Sequence, residues 1–298
     1  MTTINKGERH VQVIAHVLMI LLAVLALAPF LLMVSGSLTS DNALIKTGYR
    51  FLPSEFSLAS YQYLFGESAQ IGRAYLITII VTVSGTVLSV LISSMAAFAL
   101  GQRQVPGLKF VFVLFLIPML FSGGIVASYI NYTNIFHIKD TLLAYIVPNY
   151  LVSVFNIILI RNYISSSLPD SLTEAAEIDG AGIGRIYFTM VLPLCKPILA
   201  TTGLLTAVGY WNDWMNGLYY INDSKLYTVQ VLLDQMNKNV QFLASHSNNA
   251  AIGMSSASIP TISTRMAIAV VGILPIVIIY PFFQDYFKSG ITMGAVKG

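Results

Sequence analysis

The fold class predicted here is an all-α, multi-pass membrane protein, and three observations predict it. Of 298 residues, 56% are hydrophobic and only 10% charged, whereas soluble domains carry about 25% charged residues. Uncharged runs recur along the chain, and about 20 apolar residues are enough to cross the hydrocarbon core as a helix. One amphipathic stretch between such runs, Leu168 to Pro193, must lie at a membrane surface and face something soluble. Six transmembrane helices are expected, at about 13–34, 74–100, 108–130, 141–163, 194–214 and 264–287, inside a membrane domain over 13–287.

Taken in order, Met1 to Val11 is a short N-terminus carrying Lys6 and Arg9, and Val13 to Val34 is the first span. Ala26-Leu27-Ala28 mimics a signal-peptidase site, but the apolar run continues past it and Pro29 would follow the cut, so a retained helix is expected. Residues 35–73 form a polar, aromatic-dotted outer loop whose latter part can fold as a short surface helix. In the second span Gly85, Ser89, Ser93 and Ala97 recur every four residues, a small-residue stripe suited to close helix packing. The third span holds Pro118 and Gly123-Gly124, where a kink is expected. In the fourth, Asn149, Ser153, Asn156 and Ile160 share one helical face. Amides are costly in lipid, so this face either bonds to another helix or lines a water-filled path.

Leu168 to Pro193 comes next. Ser171 with Glu174 three residues on forms a capping box. Leu172, Ala175, Ala176 and Ile178 make an apolar side, Glu174, Glu177 and Asp179 a polar one, and Gly180 a stop in the left-handed conformation. A second amphipathic run from Ile183 ends at Pro193. The fifth span closes in Trp211-Asn212-Asp213-Trp214, with Thr202, Thr206, Gly209 and Asp213 on one face. The two tryptophans suit either interfacial anchoring or stacking on sugar rings, with Asn212 and Asp213 accepting hydroxyl bonds. In the outer loop 216–263, Leu226, Val229, Leu233, Met236, Val240 and Leu243 mark an amphipathic helix along the membrane, followed by a flexible Ser-, Asn- and Gly-rich segment over 244–260. The sixth span holds Pro275 and Pro281, and 288–298 is a short tail.

Several function classes are excluded. The net charge is +3 without a basic tract, so nucleic acid is not a partner. Cys195, the single cysteine, cannot form an internal disulfide and is taken as an inert small residue. His10, His16, His137 and His246 are scattered and no metal site is expected. No phosphate loop of the G-x-x-x-x-G-K-[ST] kind and no Ser/His/Asp arrangement exists, and Gly180-x-x-x-Gly184 follows no strand, so the chain is not read as an enzyme.

The order Glu174-Ala175-Ala176, Gly180 and Met190-Val191-Leu192-Pro193 resembles the E-A-A loop of bacterial ABC-importer permeases, with Met190 where that family usually has Ile. The tail Lys288 to Gly298 and the Phe51 to Phe65 segment resemble the maltose-type carbohydrate branch, specifically its second permease subunit. The resemblance implies a type I importer permease fold in which this loop is a cytoplasmic coupling helix seated in a separate ATPase. It assigns Glu174, Ala175, Ala176, Asp179, Gly180, Leu192 and Pro193 to coupling. It also makes Asn149, Ser153, Asn156, Thr202, Thr206, Trp211, Asn212, Asp213 and Trp214 the candidates for a sugar path. The implied partners are a second permease (a heterodimer), two cytoplasmic ATPase subunits, an extracytoplasmic solute-binding protein and a sugar, with acidic oligosaccharides among the substrates the resemblance allows. ATP and Mg belong to the ATPase, and this chain is expected to bind no cofactor.

Six spans place both termini and the E-A-A loop on the inner side of a bacterial cytoplasmic membrane. Lys6, Arg9, Arg103, Lys109, Arg161, Arg185, Lys196, Lys288 and Lys297 then fall inside, while Lys46, Arg50, Arg73, Lys139, Lys225, Lys238 and Arg265 spread over longer outer loops. The bias has the sign of the positive-inside rule. The rival is a carrier driven by an ion gradient, which would want mid-membrane carboxylates. Asp213 and Asp285 are its only candidates, and both sit near span ends.

Overall fold

A computed structural model describes residues 6–66, 68–102, 105–246 and 262–295. Arg103, most of the 244–260 segment and the last three residues lie outside that set. The described residues are overwhelmingly helical, and their only β pairing is an isolated bridge between Thr39 and Phe56. The chain divides into two compact units, residues 1–68 with 235–274, and 69–234 with 275–298.

The first unit holds α1 (Lys6–Ser37), α2 (Asp41–Thr47) and α3 (Ala59–Gly66). Over Val11–Ser37 α1 is long and apolar enough to cross a membrane, and none of its most apolar window is buried by the chain itself. Lipid or another subunit must cover it, because water would not tolerate so much apolar surface. Ser40 caps α2 by accepting from the Ala43 amide. Asp41 reaches the chain near residue 262, where Oδ2 accepts from the Ile262 amide at 3.2 Å and Oδ1 from the Ser263 amide at 2.9 Å.

The second unit begins with α4 (Ser68–Gly101), followed by α5 (Leu108–Leu120), α6 (Gly124–Ile130) and a π-turn at Asn131–Ile135. Then come α7 (Leu143–Ile146), α8 (Val154–Ser167), α9 (Asp170–Ile178), α10 (Ile183–Ile186) and a second π-turn at Tyr187–Val191. The remaining elements are α11 (Leu192–Leu194), α12 (Lys196–Trp211), α13 (Met215–Tyr220), α14 (Val229–His246) and α15 (Ile262–Ala295), the last two crossing the unit boundary. The small-residue stripe of α4 is packed: Ser89, Ser93 and Ala97 are buried, and a Cβ on Gly85 would stand 2.5 Å from the Tyr210 ring.

Several expected spans are broken. Among the described residues two helices, Val11–Ser37 and Ala69–Gly101, are long and apolar enough to cross a membrane, or up to four if each bent pair is one span. The 108–130 segment is bent by 114°. The bend falls at Phe121–Gly123 rather than at Pro118, which α5 accommodates in its last turn before Gly124 takes φ 78°. The 141–163 segment is not one helix either. It unwinds between Ile146 and Val154, with Asn149 at φ 69°, so Asn149, Ser153 and Asn156 do not share a helical face. Asparagine tolerates the left-handed region better than most residues, and Ser153 restarts the helix by capping the Asn156 amide at 3.3 Å. The fifth segment begins at Lys196 after an 80° bend, and Asp213 lies beyond the end of α12, off the face of Thr202 and Thr206. In the 216–263 segment α14 starts at Val229, and Leu226 belongs to a preceding 3-10 turn, Ser224–Leu226.

Candidate functional site

The Leu168–Pro193 stretch opens with α9, whose start corrects the capping expectation. It begins at Asp170 after an extended Pro169, so Ser171 sits inside the first turn and the capping box does not form at its N-terminus. Proline supplies a pre-set φ and itself needs no amide partner there. The end is as expected: Gly180 takes φ 79°. Its amide donates to the Glu177 carbonyl at 3.0 Å and the Ala181 amide to Ala176 at 2.9 Å, the paired bonds of a Schellman motif.

This short helix is two-sided. Ala176 is buried against Ile157, Ile160, Ile186 and Val191, and Leu172 is half-buried. Glu174, Ala175, Glu177 and Asp179 are exposed, and Ile178 is 86% exposed. Ile183 and Phe188, on the next elements, are exposed as well. The apolar side is thus divided between the chain's own core and an outward face. Beside α9 a cleft of about 160 Å3 is lined by Gln102, Ser165, Thr173, Glu174 and Glu177 among others.

The second run passes Pro193 and stops at Leu194, so Pro193 does not end it. Pro193 lies inside this run, directly after the π-turn at Tyr187–Val191 and one residue from its end, exposed beside half-buried Leu192. The turn falls at Cys195, whose thiol is buried in the same core as Ala176. Tyr187, which sequence reasoning passed over, ties this run to α4: its hydroxyl lies 2.7 Å from Ser94 Oγ and its ring 5.6 Å from that of Phe98. The π-turn that begins at Tyr187 has no sequence signature; the aromatic pair Tyr187-Phe188 was the one available hint that this run packs on another helix.

The polar candidates gather at the unwound segment 147–153. Three carbonyls freed there find side-chain donors: Tyr210 Oη to Ile146 O at 2.8 Å, Asn216 Nδ2 to Pro148 O at 3.5 Å and Ser89 Oγ to Tyr150 O at 2.7 Å. Broken backbone persists at membrane depth only with such partners. Asp213 is buried and holds Asn216, accepting from its amide at 3.0 Å and from its side-chain nitrogen at 2.6 Å. Asn156 Nδ2 donates to Thr206 Oγ1 at 2.9 Å, while Thr206 and Thr202 each donate to a carbonyl one turn back. Trp211 is buried, with its ring 6.3 Å from that of Tyr75. Asn149, Asn212 and Trp214 remain exposed, and Ser153 is half-buried. The structure therefore separates the candidates into a buried set and an exposed set, although exposed Asn149 and Asn212 also donate, to Asn216 Oδ1 at 3.4 Å and to the Val208 carbonyl at 3.0 Å.

Comparison with known proteins decides what kind of molecule carries this helix. Residues 89–293 match the family described as binding-protein-dependent transport system inner membrane component. The chain belongs to that family of ABC-importer permeases. The permease is 34% identical to the polygalacturonan/rhamnogalacturonan transport system permease protein YtcP of Bacillus subtilis (strain 168), over 94% of this chain and 96% of the relative. Protein LplC of the same organism is 33% identical, over 92% and 90%. The melibiose/raffinose/stachyose import permease protein MelC, also of that organism, is 28% identical over 95% and 97%. Among solved structures, a bacterial ABC transporter involved in the import of the acidic polysaccharide alginate superposes with a TM-score of 0.79 at 27% identity, covering 96% of this chain and 100% of the other. The permease is accordingly a multi-pass subunit of a membrane importer that works with a partner permease, an ATPase and a solute-binding protein. A carrier driven by an ion gradient is not favoured. Buried Asp213 is engaged by Asn216, and the side chain of Asp285 lies outside the described residues.

Proposed function

We propose that this permease imports oligosaccharides, and among them acidic, uronate-containing ones. The observation that carries the substrate class is the agreement of two independent likenesses. A relative named for polygalacturonan and rhamnogalacturonan transport and a solved transporter of alginate both align over nearly the whole chain.

In this reading the permease forms half of the path in a heterodimer served by two ATPase subunits, with both termini and α9 on the cytoplasmic side. Glu174, Ala175, Ala176, Asp179, Gly180, Leu192 and Pro193 carry the coupling. The outward face with Ile178 and Ile183 enters the ATPase groove, while Ala176 roots the helix in the permease core. ATP closure draws the coupling helices together, and the core shared by α4, α8 and α9 passes the movement to the spans as a body. ATP and Mg stay in the partner chains. The exposed Asn149, Asn212 and Trp214 contact solute, and the buried Asp213, Asn156, Thr202, Thr206 and Trp211 hold the wall behind them. Ser153 acts as the cap of α8.

The test is ATP turnover by the full reconstituted complex with its binding protein. Oligogalacturonides or alginate oligomers should stimulate it, and neutral raffinose-type oligomers should not. The reverse order would move the permease to neutral sugars, as the melibiose/raffinose/stachyose relative suggests.

A further inference from the structure

A second cavity, of about 670 Å3, opens where the end of α4 and the first turn of α5 meet α8. Arg161, half-buried in α8, lines it. Its Nε donates to the Leu100 carbonyl at 3.1 Å, and its guanidinium stands 4.8 Å from the centre of the Phe112 ring. These contacts fix the plane of the group while using one of its five N–H donors. No Asp or Glu is among the described residues that line the cavity. A half-buried cation is costly without a counter-charge, so this one calls for an anion from outside the chain.

Two further features point to the same ligand. Lys109 lines the cavity from the first turn of α5. That helix is 13 residues long with Gly107 at its N-cap, and the Phe110 and Val111 amides turn back onto the Gly107 carbonyl at 3.0 and 3.1 Å, so what its start offers an anion is the positive end of the helix dipole. The flank is apolar. No residue of α5 is buried, and Phe110 and Val113 are 67% and 51% exposed. A ligand that satisfies both parts needs an anionic head and a hydrocarbon tail.

We propose that this cavity binds the phosphate headgroup of an anionic phospholipid, with an acyl chain lying along Phe110 and Val113. The leaflet, that of the coupling helix, rests on the orientation proposed above; the headgroup site does not. Basic pockets between membrane helices are recurrent headgroup sites. A free anion would satisfy the cations and leave the apolar flank uncovered.

The test uses the whole importer complex, embedded in bilayers of phosphatidylglycerol mixed with phosphatidylcholine, extracted in mild detergent and weighed by native mass spectrometry. Phosphatidylglycerol should stay bound in preference to phosphatidylcholine. Lys109→Gln and Arg161→Gln should each weaken its retention at least about tenfold, the scale of one charge-assisted hydrogen bond. Arg161 also holds the Leu100 carbonyl, so exposed Lys109 is the cleaner variant. Equal retention by wild type and Lys109→Gln overturns the site. Displacement of the lipid by inorganic phosphate, or a cross-link from position 109 to an acidic segment of a partner subunit, reassigns the cavity and overturns the lipid as its occupant. None of these results touches the sugar reading, whose own test is solute-stimulated ATP turnover.

Discussion

Gly180 and Gly85 show how single positions constrain the permease for opposite reasons. At Gly180 the constraint is backbone sign: φ 79° is open to glycine, and a Cβ would meet nothing within 4 Å. Gly180→Ala should therefore cost roughly 1–2 kcal/mol of local strain, loosening the end of α9 without a clash. We expect solute-stimulated ATP turnover to fall while assembly persists, measured on the purified complex; unchanged turnover would remove Gly180 from coupling. At Gly85 the constraint is space, because the Tyr210 ring occupies the position of a Cβ. Gly85→Ala should destabilise by about 1–3 kcal/mol through overpacking, seen as a lower melting temperature in detergent. Tyr187 offers a milder change. Tyr187→Phe removes its contact with Ser94 and should cost about 1 kcal/mol, with a larger effect on ATP coupling than on melting if the residue transmits motion.

At the scale of elements, the chain is held by turns that satisfy their own polar groups. Asp140 clasps the segment after α13, accepting from the backbone amide and side chain of Asn222 and from the Asp223 amide. These donors, the Asn222 amide first, hold its carboxyl below the usual carboxylate range. A lowered folded value means the clasp stabilises fully above the ordinary carboxylate pKa, near 4, and fades as the pH drops through the lowered one. Asp140→Asn should thus melt earlier than wild type at neutral pH, and the gap should close in acid. A gap of constant size from neutral to strongly acid conditions would contradict the clasp. The unwound segment between α7 and α8 follows the same logic without titration, its carbonyls held by Tyr210, Asn216 and Ser89. Periodicity could not foresee it. Asn149, Ser153 and Asn156 fit a helical face on paper, and only the donors brought by α4, α12 and α13 make the break affordable in an apolar setting.

For the whole molecule, the decisive prediction concerns communication between chains. Glu174→Ala or Gly180→Pro should leave membrane insertion intact and abolish solute-stimulated ATP turnover, read on reconstituted complexes beside a trypsin map of the inserted chain. Normal turnover in both variants would refute the coupling role. Much of this permease was legible beforehand. Apolar run length marked a helical membrane protein, the Glu174 to Pro193 spacing marked its family, and Gly180 marked the end of α9, because these depend on local properties that each residue carries with it. Three-dimensional packing decided the rest. It moved the cap of α9 from Ser171 to Pro169, turned two expected spans into broken ones, and buried Asp213, Asn156 and Trp211 while leaving Asn149, Asn212 and Trp214 exposed. It also joined Arg161 to Leu100 across 61 positions of chain. Whether a polar group in a membrane lines a path or bonds to a neighbour depends on donors and acceptors distant in sequence. Only the folded chain brings them within reach.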